Sequence, residues 1–95
     1  MTNPLIEFDR SWRMPVVGHS MTLTVNGQNV PAIPVDYSGF GICFKSKKYL
    51  DVGTTGSYFL TEDQTGESSH PCSIKVVRVE TLKLDEHIVG AVFEL

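Results

Sequence analysis

Residues 36–41, Asp-Tyr-Ser-Gly-Phe-Gly, place a carboxylate, a hydroxyl and two glycines within six positions, in the pattern D-x-S-x-x-G. Asp36 can accept hydrogen bonds from N–H donors, and Ser38 can both donate and accept them. Gly41 has no side chain, which lets a flat ligand approach the backbone closely. The pattern favours a small polar binding site. The alternative is a turn in which Asp36 and Ser38 only satisfy backbone groups.

Two arginines, Arg10 and Arg13, flank Trp12 upstream of the hexapeptide. The planar guanidinium group can meet phosphate oxygens with two parallel hydrogen bonds, and it can pair with O6 and N7 of guanine. An acidic group together with two mobile arginines therefore suits a guanine nucleotide. Trp12 is expected to fill the end of the folded core rather than to stack on a base.

Catalysis and metal binding are disfavoured by the same residues. Ser38 is not in a G-x-S-x-G motif, and no histidine stands where it would support a serine nucleophile, so no enzyme is expected. His70 and Cys72 have no second pair at zinc spacing, so neither a metal nor another cofactor is expected. Cys43 lies in an apolar run and is predicted to be a small buried residue without a disulfide.

Size and charge narrow the function classes. The 95 residues are sufficient for one domain, residues 1–95, and the 41% hydrophobic content is typical of a globular fold. The net charge of −3 argues against broad binding to DNA or RNA, although local arginines can still hold one small anion. No apolar run approaches the roughly 18 residues of a membrane span. The expectation is a cytoplasmic protein with no membrane insertion.

The elements that must position these residues are predicted to be strands. Ser20–Val25 alternates apolar and hydroxyl side chains, and Asn26-Gly27 is a strong signal for a tight hairpin turn. Gln28–Val35 should return antiparallel to the first strand. Pro31 and Pro34 cannot donate to a ladder, so this second strand should be irregular.

The remaining strands are predicted at Ile42–Lys45, 56–61, Cys72–Val79 and His87–Leu95, with an exposed connection at 61–70 and a hairpin loop at 81–86. No segment has a helical period. The predicted fold is all-β, a small antiparallel barrel of six or seven strands with little or no helix. Residues 1–15 should form a flexible N-terminal segment that carries the arginines, and 16–95 the barrel.

The chain resembles a PilZ domain, the bacterial receptor module for cyclic di-GMP. That family is marked by R-x-x-x-R in an N-terminal loop and, after a hairpin, by [D/N]-x-S-x-x-G. The second motif is intact as Asp36, Ser38 and Gly41. In the first, Asp9 stands at the place of the first arginine and Arg10 follows it, giving R-x-x-R. Segments 13–16, 50–53 and 90–93 also resemble the family's first strand, central turn and closing strand.

The resemblance implies a barrel of the split-barrel type and a cyclic di-GMP site. Arg10 and Arg13 would take phosphate and the Hoogsteen edge of guanine. Asp36 would accept from guanine N1 and N2 or brace an arginine, Ser38 would hydrogen-bond nearby, and Gly41 would keep the site open. The domain would then change conformation on binding and signal to a motility, biofilm or secretion partner.

Two other functions stay open at this point. Asp9 in the arginine motif favours a PilZ-fold module that binds a protein partner and not the nucleotide. An unrelated small barrel that binds a peptide or an oligonucleotide is the third possibility. Lys45, Lys47 and Lys48 are expected to be a solvated strand edge, with a second phosphate contact as the alternative.

Overall fold

The computed structural model describes residues 13–94, which form seven strands and contain no helix. In chain order the strands are β1 Met14–Pro15, β2 His19–Val25, β3 Gln28–Tyr37, β4 Gly41–Ser46, β5 Thr55–Glu62, β6 Cys72–Lys83 and β7 Glu86–Phe93. Every pairing between them is antiparallel.

Six of the strands close into a barrel. The sheet runs in the order β3-β2-β5-β6-β7-β4, and a further pairing of β3 with β4 joins its two ends. The short β1 adds to the last residues of β3, where Met14 pairs with Tyr37 and Pro15 with Asp36. The prediction of a small all-β antiparallel barrel is confirmed. Met14 and Pro15, which the sequence assigned to the flexible N-terminal segment, thus belong to this sheet.

The hairpin between β2 and β3 is built as its sequence predicts. Asn26 and Gly27 have φ angles of 52° and 76°, the pair of positive values that a two-residue type I′ turn requires. Val25 and Gln28 close the hairpin as paired residues. Since side chains alternate along a strand, Met21 and Leu23 of β2 point into the core.

Strand β3 changes partners and is irregular, as its two prolines predict. Its first half pairs with β2 and its second half with β4, and Ala32 pairs with residues of both. The register with β4 shifts between Pro34 and Asp36. Such a β-bulge leaves an extra residue unpaired, bends the strand and redirects the side chains that follow.

The core fills the barrel interior with aliphatic and aromatic side chains. Its most deeply buried members are Phe44, Leu23, Ile74 and Val89, which come from four different strands. Leu50, in the connection between β4 and β5, is also buried in this cluster. The interior is therefore closed by side chains, which leaves the outer face of the sheet and the ends of the barrel for binding.

Several predicted boundaries were wrong by one or more residues, and two of these errors affect the description that follows. The predicted loop at 81–86 is a turn of only two residues, 84 and 85, because β6 continues to Lys83 and β7 begins at Glu86. Strand β3 also runs two residues beyond the predicted end at Val35. Asp36 is therefore a strand residue with a paired backbone, which fixes its position more firmly than a loop would.

Candidate functional site

The two sequence motifs meet through an ion pair between Arg13 and Asp36. The backbone N–H of Val16 donates to the carbonyl oxygen of Val35 at 2.9 Å, and Pro15 lies opposite Asp36. These contacts hold the residue before β1 beside the end of β3. Arg13 Nη1 then lies 2.6 Å from Asp36 Oδ1, with the two side chains 31% and 26% exposed. A charge-assisted hydrogen bond of this length restricts both side chains.

Ser38 and Gly41 form the turn between β3 and β4. The N–H of Ser38 donates to the carbonyl oxygen of Gly41 at 2.9 Å. The buried Ser38 Oγ accepts from the N–H of Phe40 at 3.2 Å. The serine thus stabilises the turn, and within residues 13–94 its hydroxyl proton has no hydrogen-bond acceptor.

Gly41 lies against the backbone of β7. A Cβ atom at this position would be 2.1 Å from the carbonyl oxygen of Ala91, far inside van der Waals contact. The closure of β4 on β7 therefore accounts for this glycine without a ligand. Its predicted role in keeping a binding site open stays a prediction.

A row of side chains crosses the outer face of the barrel from the ion pair. Asp36 pairs with Cys43 on β4, Cys43 with Gly90 on β7, and Gly90 with Arg78 on β6. Residues opposite each other on neighbouring strands share a face of the sheet. We call Arg13, Asp36, Cys43, Gly90 and Arg78 the arginine row.

Arg78 is a member of the row that sequence reasoning missed. Its Cβ, Nε and Nη2 atoms lie 3.6–3.7 Å from where a Cβ of Gly90 would be, so the side chain extends over the bare backbone of Gly90. Within residues 13–94 no acidic side chain forms an ion pair with Arg78. The available signal was Gly90 itself, because a glycine inside an apolar strand often marks a close approach of another group.

The charges of the row act on Cys43, whose thiol lies between them. Burial raises the pKa of the Cys43 thiol and the nearby Asp36 raises it further, while Arg13 and Arg78 lower it. Burial has the largest effect, so the thiol is neutral at neutral pH. The prediction that Cys43 is a buried free cysteine is confirmed. Both arginines are therefore close enough to act electrostatically on the Cys43 thiol.

The other residues named from the sequence are not part of the arginine row as the structure describes it. Asp9, Arg10 and Trp12 are outside the described residues. Lys45 Nζ lies 3.7 Å from Glu86 Oε1 at the far end of β4 and is therefore not part of the arginine row. Within residues 13–94 no three His, Cys, Asp or Glu side chains are grouped as metal ligands would be.

No helix in the described part of the chain is long and apolar enough to cross a membrane.

Similarity to known proteins does not identify the site. No protein-family model, no curated protein and no solved structure matches the chain. The case for a function therefore depends on the motifs and on the arginine row.

Proposed function

We propose that this chain is a receptor domain for cyclic di-GMP of the PilZ type. The observation that carries the proposal is the 2.6 Å contact between Arg13 and Asp36, because it joins the arginine segment and the hexapeptide, which are 23 residues apart in sequence. Neither motif is specific by itself. Their meeting on the outer face of a small barrel supports one shared site.

Each charged residue has a role that its chemistry supports. Asp36 fixes the plane of the Arg13 guanidinium, which reduces the side-chain entropy lost when Arg13 binds phosphate or the O6 and N7 atoms of guanine. Asp36 can also accept hydrogen bonds from the N1 and N2 donors of guanine, which would replace its hydrogen bond with Arg13. Ser38, two residues further on, has a hydroxyl proton to donate.

Arg78 extends the proposed site across the barrel. Arg78 lies on the far side of Cys43 from Arg13. Its side chain extends over the backbone of Gly90, where no side chain projects from the sheet. A nucleotide with two phosphates and two flat bases is matched by two guanidinium groups on either side of a shallow surface. We include Arg78 with Arg10, Arg13, Asp36, Ser38 and Gly41 as proposed ligand residues.

Binding would act on a partner through the segment that precedes β1. A ligand that binds both Arg10 and Arg13 would join this segment to the barrel, and the surface formed in this way would be recognised by a cytoplasmic protein of a motility, biofilm or secretion system. In this proposal the ligand shifts the population between two conformations of the domain.

Calorimetric titration with cyclic di-GMP, and with GMP as the control ligand, tests the proposal. We expect a dissociation constant in the micromolar range or lower, which corresponds to about −8 kcal/mol. Arg13→Ala should weaken binding roughly 30- to 150-fold, the loss of a contact of about 2–3 kcal/mol. Arg78→Ala should weaken it less, and Lys48→Ala, which removes an exposed charge away from the row, should leave it unchanged.

The arginine segment can be tested separately. Asp9→Arg restores the R-x-x-x-R spacing and removes a competing carboxylate, so binding should tighten, while Arg10→Ala should weaken it less than Arg13→Ala does. If Asp9→Arg has no effect and Arg13→Ala binds like the parent, the arginines are not part of a nucleotide site.

A second function is favoured by a specific observation. Asp36 and Gly41 both have structural roles, the first in the ion pair with Arg13 and the second at the β4–β7 contact. A barrel that retains these residues for stability alone could serve as a protein-interaction module. The absence of heat and of any thermal shift at high micromolar cyclic di-GMP would favour this function over the receptor.

A further inference from the structure

A groove lies between the middle of β3 and the last residues of β4, and no residue of the arginine row lines it. It opens where Ala32 pairs with both Met21 and Ser46, the point at which β3 passes from β2 to β4. The groove has a volume of about 480 Å³ and includes Ala32 and Ile33 in its lining. This volume is within the range of small binding pockets, about 300–1,000 Å³.

Two exposed apolar side chains lie in or directly beside the groove. Ile33 in its lining is 64% exposed. Leu84 is 98% exposed at the two-residue turn of the β6–β7 hairpin, directly before Asp85, which lines the groove. Tight hairpin turns favour Gly, Asn and Asp, so the turn itself does not call for a leucine. Ile33 and Leu84 thus give the groove two exposed apolar side chains that a partner can cover.

The charged residues that line the groove indicate which kind of partner binds there. Lys45 and Lys47 line it on the β4 side, and Asp85 and Glu86 line it on the hairpin side. The four formal charges cancel, although the whole chain has a net charge of −3. A two-fold symmetric contact requires a surface that is complementary to itself, and a charged surface meets this condition when it carries both signs of charge. A surface that binds a nucleic acid or a strongly charged peptide would instead carry mainly one sign of charge, opposite to that of its ligand.

We propose that this end of the barrel is the interface of a homodimer, in which the hairpin tip of each copy packs its Leu84 into the groove of the other. The lysines of each copy then face the acidic residues of its partner. The 3.7 Å pair of Lys45 with Glu86 within one copy is long and half-exposed, so it can be exchanged for a contact between copies at little cost. This proposal is independent of cyclic di-GMP, because no residue of the arginine row lines the groove.

Sedimentation equilibrium on the full 95-residue chain, from about 1 μM to 1 mM, tests the dimer directly. We expect a monomer–dimer equilibrium, and Leu84→Asp should raise the dimer dissociation constant at least about tenfold, since two leucines are lost from each interface. The matched control is Val17→Asp, because Val17 is 78% exposed but lies before β2, away from the groove. It should dimerise like the parent, with circular dichroism confirming that both variants fold.

Charge reversal tests the pairing between copies. Lys47→Glu leaves the groove acidic and Asp85→Lys leaves it basic, so each variant alone should dimerise at least about tenfold more weakly. An equimolar mixture of the two should form a heterodimer. A parent chain that stays monomeric to about 1 mM, a Leu84→Asp variant that dimerises like the parent, or a mixture that does not associate would each overturn the proposal.

Discussion

The last glycine of the hexapeptide gives the sharpest test of how the barrel closes. In a Gly41→Ala variant, the new Cβ would lie 2.1 Å from the carbonyl oxygen of Ala91, 3.0 Å from its carbonyl carbon and 3.1 Å from Cα of Val92. All three atoms belong to the backbone of β7, so no side chain can rotate away to relieve the contact. Strand β4 must move away from β7, which weakens their ladder.

The expected cost can be worked out from this geometry. Overpacking costs typically about 1–3 kcal/mol, and a contact with backbone should reach the upper end. Replacing glycine recovers about 0.4–1 kcal/mol by restricting the unfolded chain. The net loss is then about 2–3 kcal/mol. For a domain of this size, 1 kcal/mol shifts the thermal midpoint by about 4–8 °C, so we expect a decrease of roughly 10–20 °C.

Gly39→Ala is a matched control two positions away in the same turn. A Cβ at Gly39 would meet nothing within 4 Å, and its φ is outside the left-handed region. The control should therefore be neutral or stabilised by up to about 1 kcal/mol. Thermal and urea denaturation followed by circular dichroism measure both variants without any ligand. Equal midpoints for the two variants would refute the argument that the β4–β7 contact requires glycine at position 41.

Two further predictions concern charge and pH. A double-mutant cycle of Arg13→Ala and Asp36→Ala in urea denaturation should give a coupling of about 1 kcal/mol, and a coupling near zero would show that the pair does not stabilise the fold. Burial, with smaller contributions from Cys72 and Tyr37, raises the pKa of Tyr58 to about 12 from its usual 10. Between these values the native phenol keeps a proton that the unfolded chain has lost, so stability should fall as pH rises through this window, by up to about 2–3 kcal/mol. Tyr58→Phe should remove this part of the pH dependence, and an unchanged slope would contradict it.

Local sequence signals predicted most of the barrel. The alternation in residues 20–25 and the Asn26-Gly27 turn each depend on neighbours in the chain, and both have the predicted structure. The irregularity of β3 was also predictable, because a proline cannot donate to a ladder wherever it is placed.

The features that the sequence did not reveal depend on pairing between distant strands. Arg78 and Cys43 become neighbours of the same glycine only because β7 lies between β4 and β6. The bulge before Asp36 sets which β4 residue faces it, and no local pattern fixes that register. The sequence predicts that Gly41 leaves space for a ligand, and this stays a prediction; the close approach of Gly41 to Ala91 can be recognised only once the partner strand is known.

The position of β7 has a consequence for how the chain folds. Strand β4 follows β3 directly, but its other edge is covered only by β7, the last of the described strands to leave the ribosome. Closure therefore requires contacts of long sequence separation, which form slowly. Until these contacts form, Cys43 lacks its pairing partner Gly90, and β7 does not yet help to bury the Cys43 thiol. The rate at which a thiol reagent loses access to Cys43 during refolding should thus report the moment at which the barrel closes.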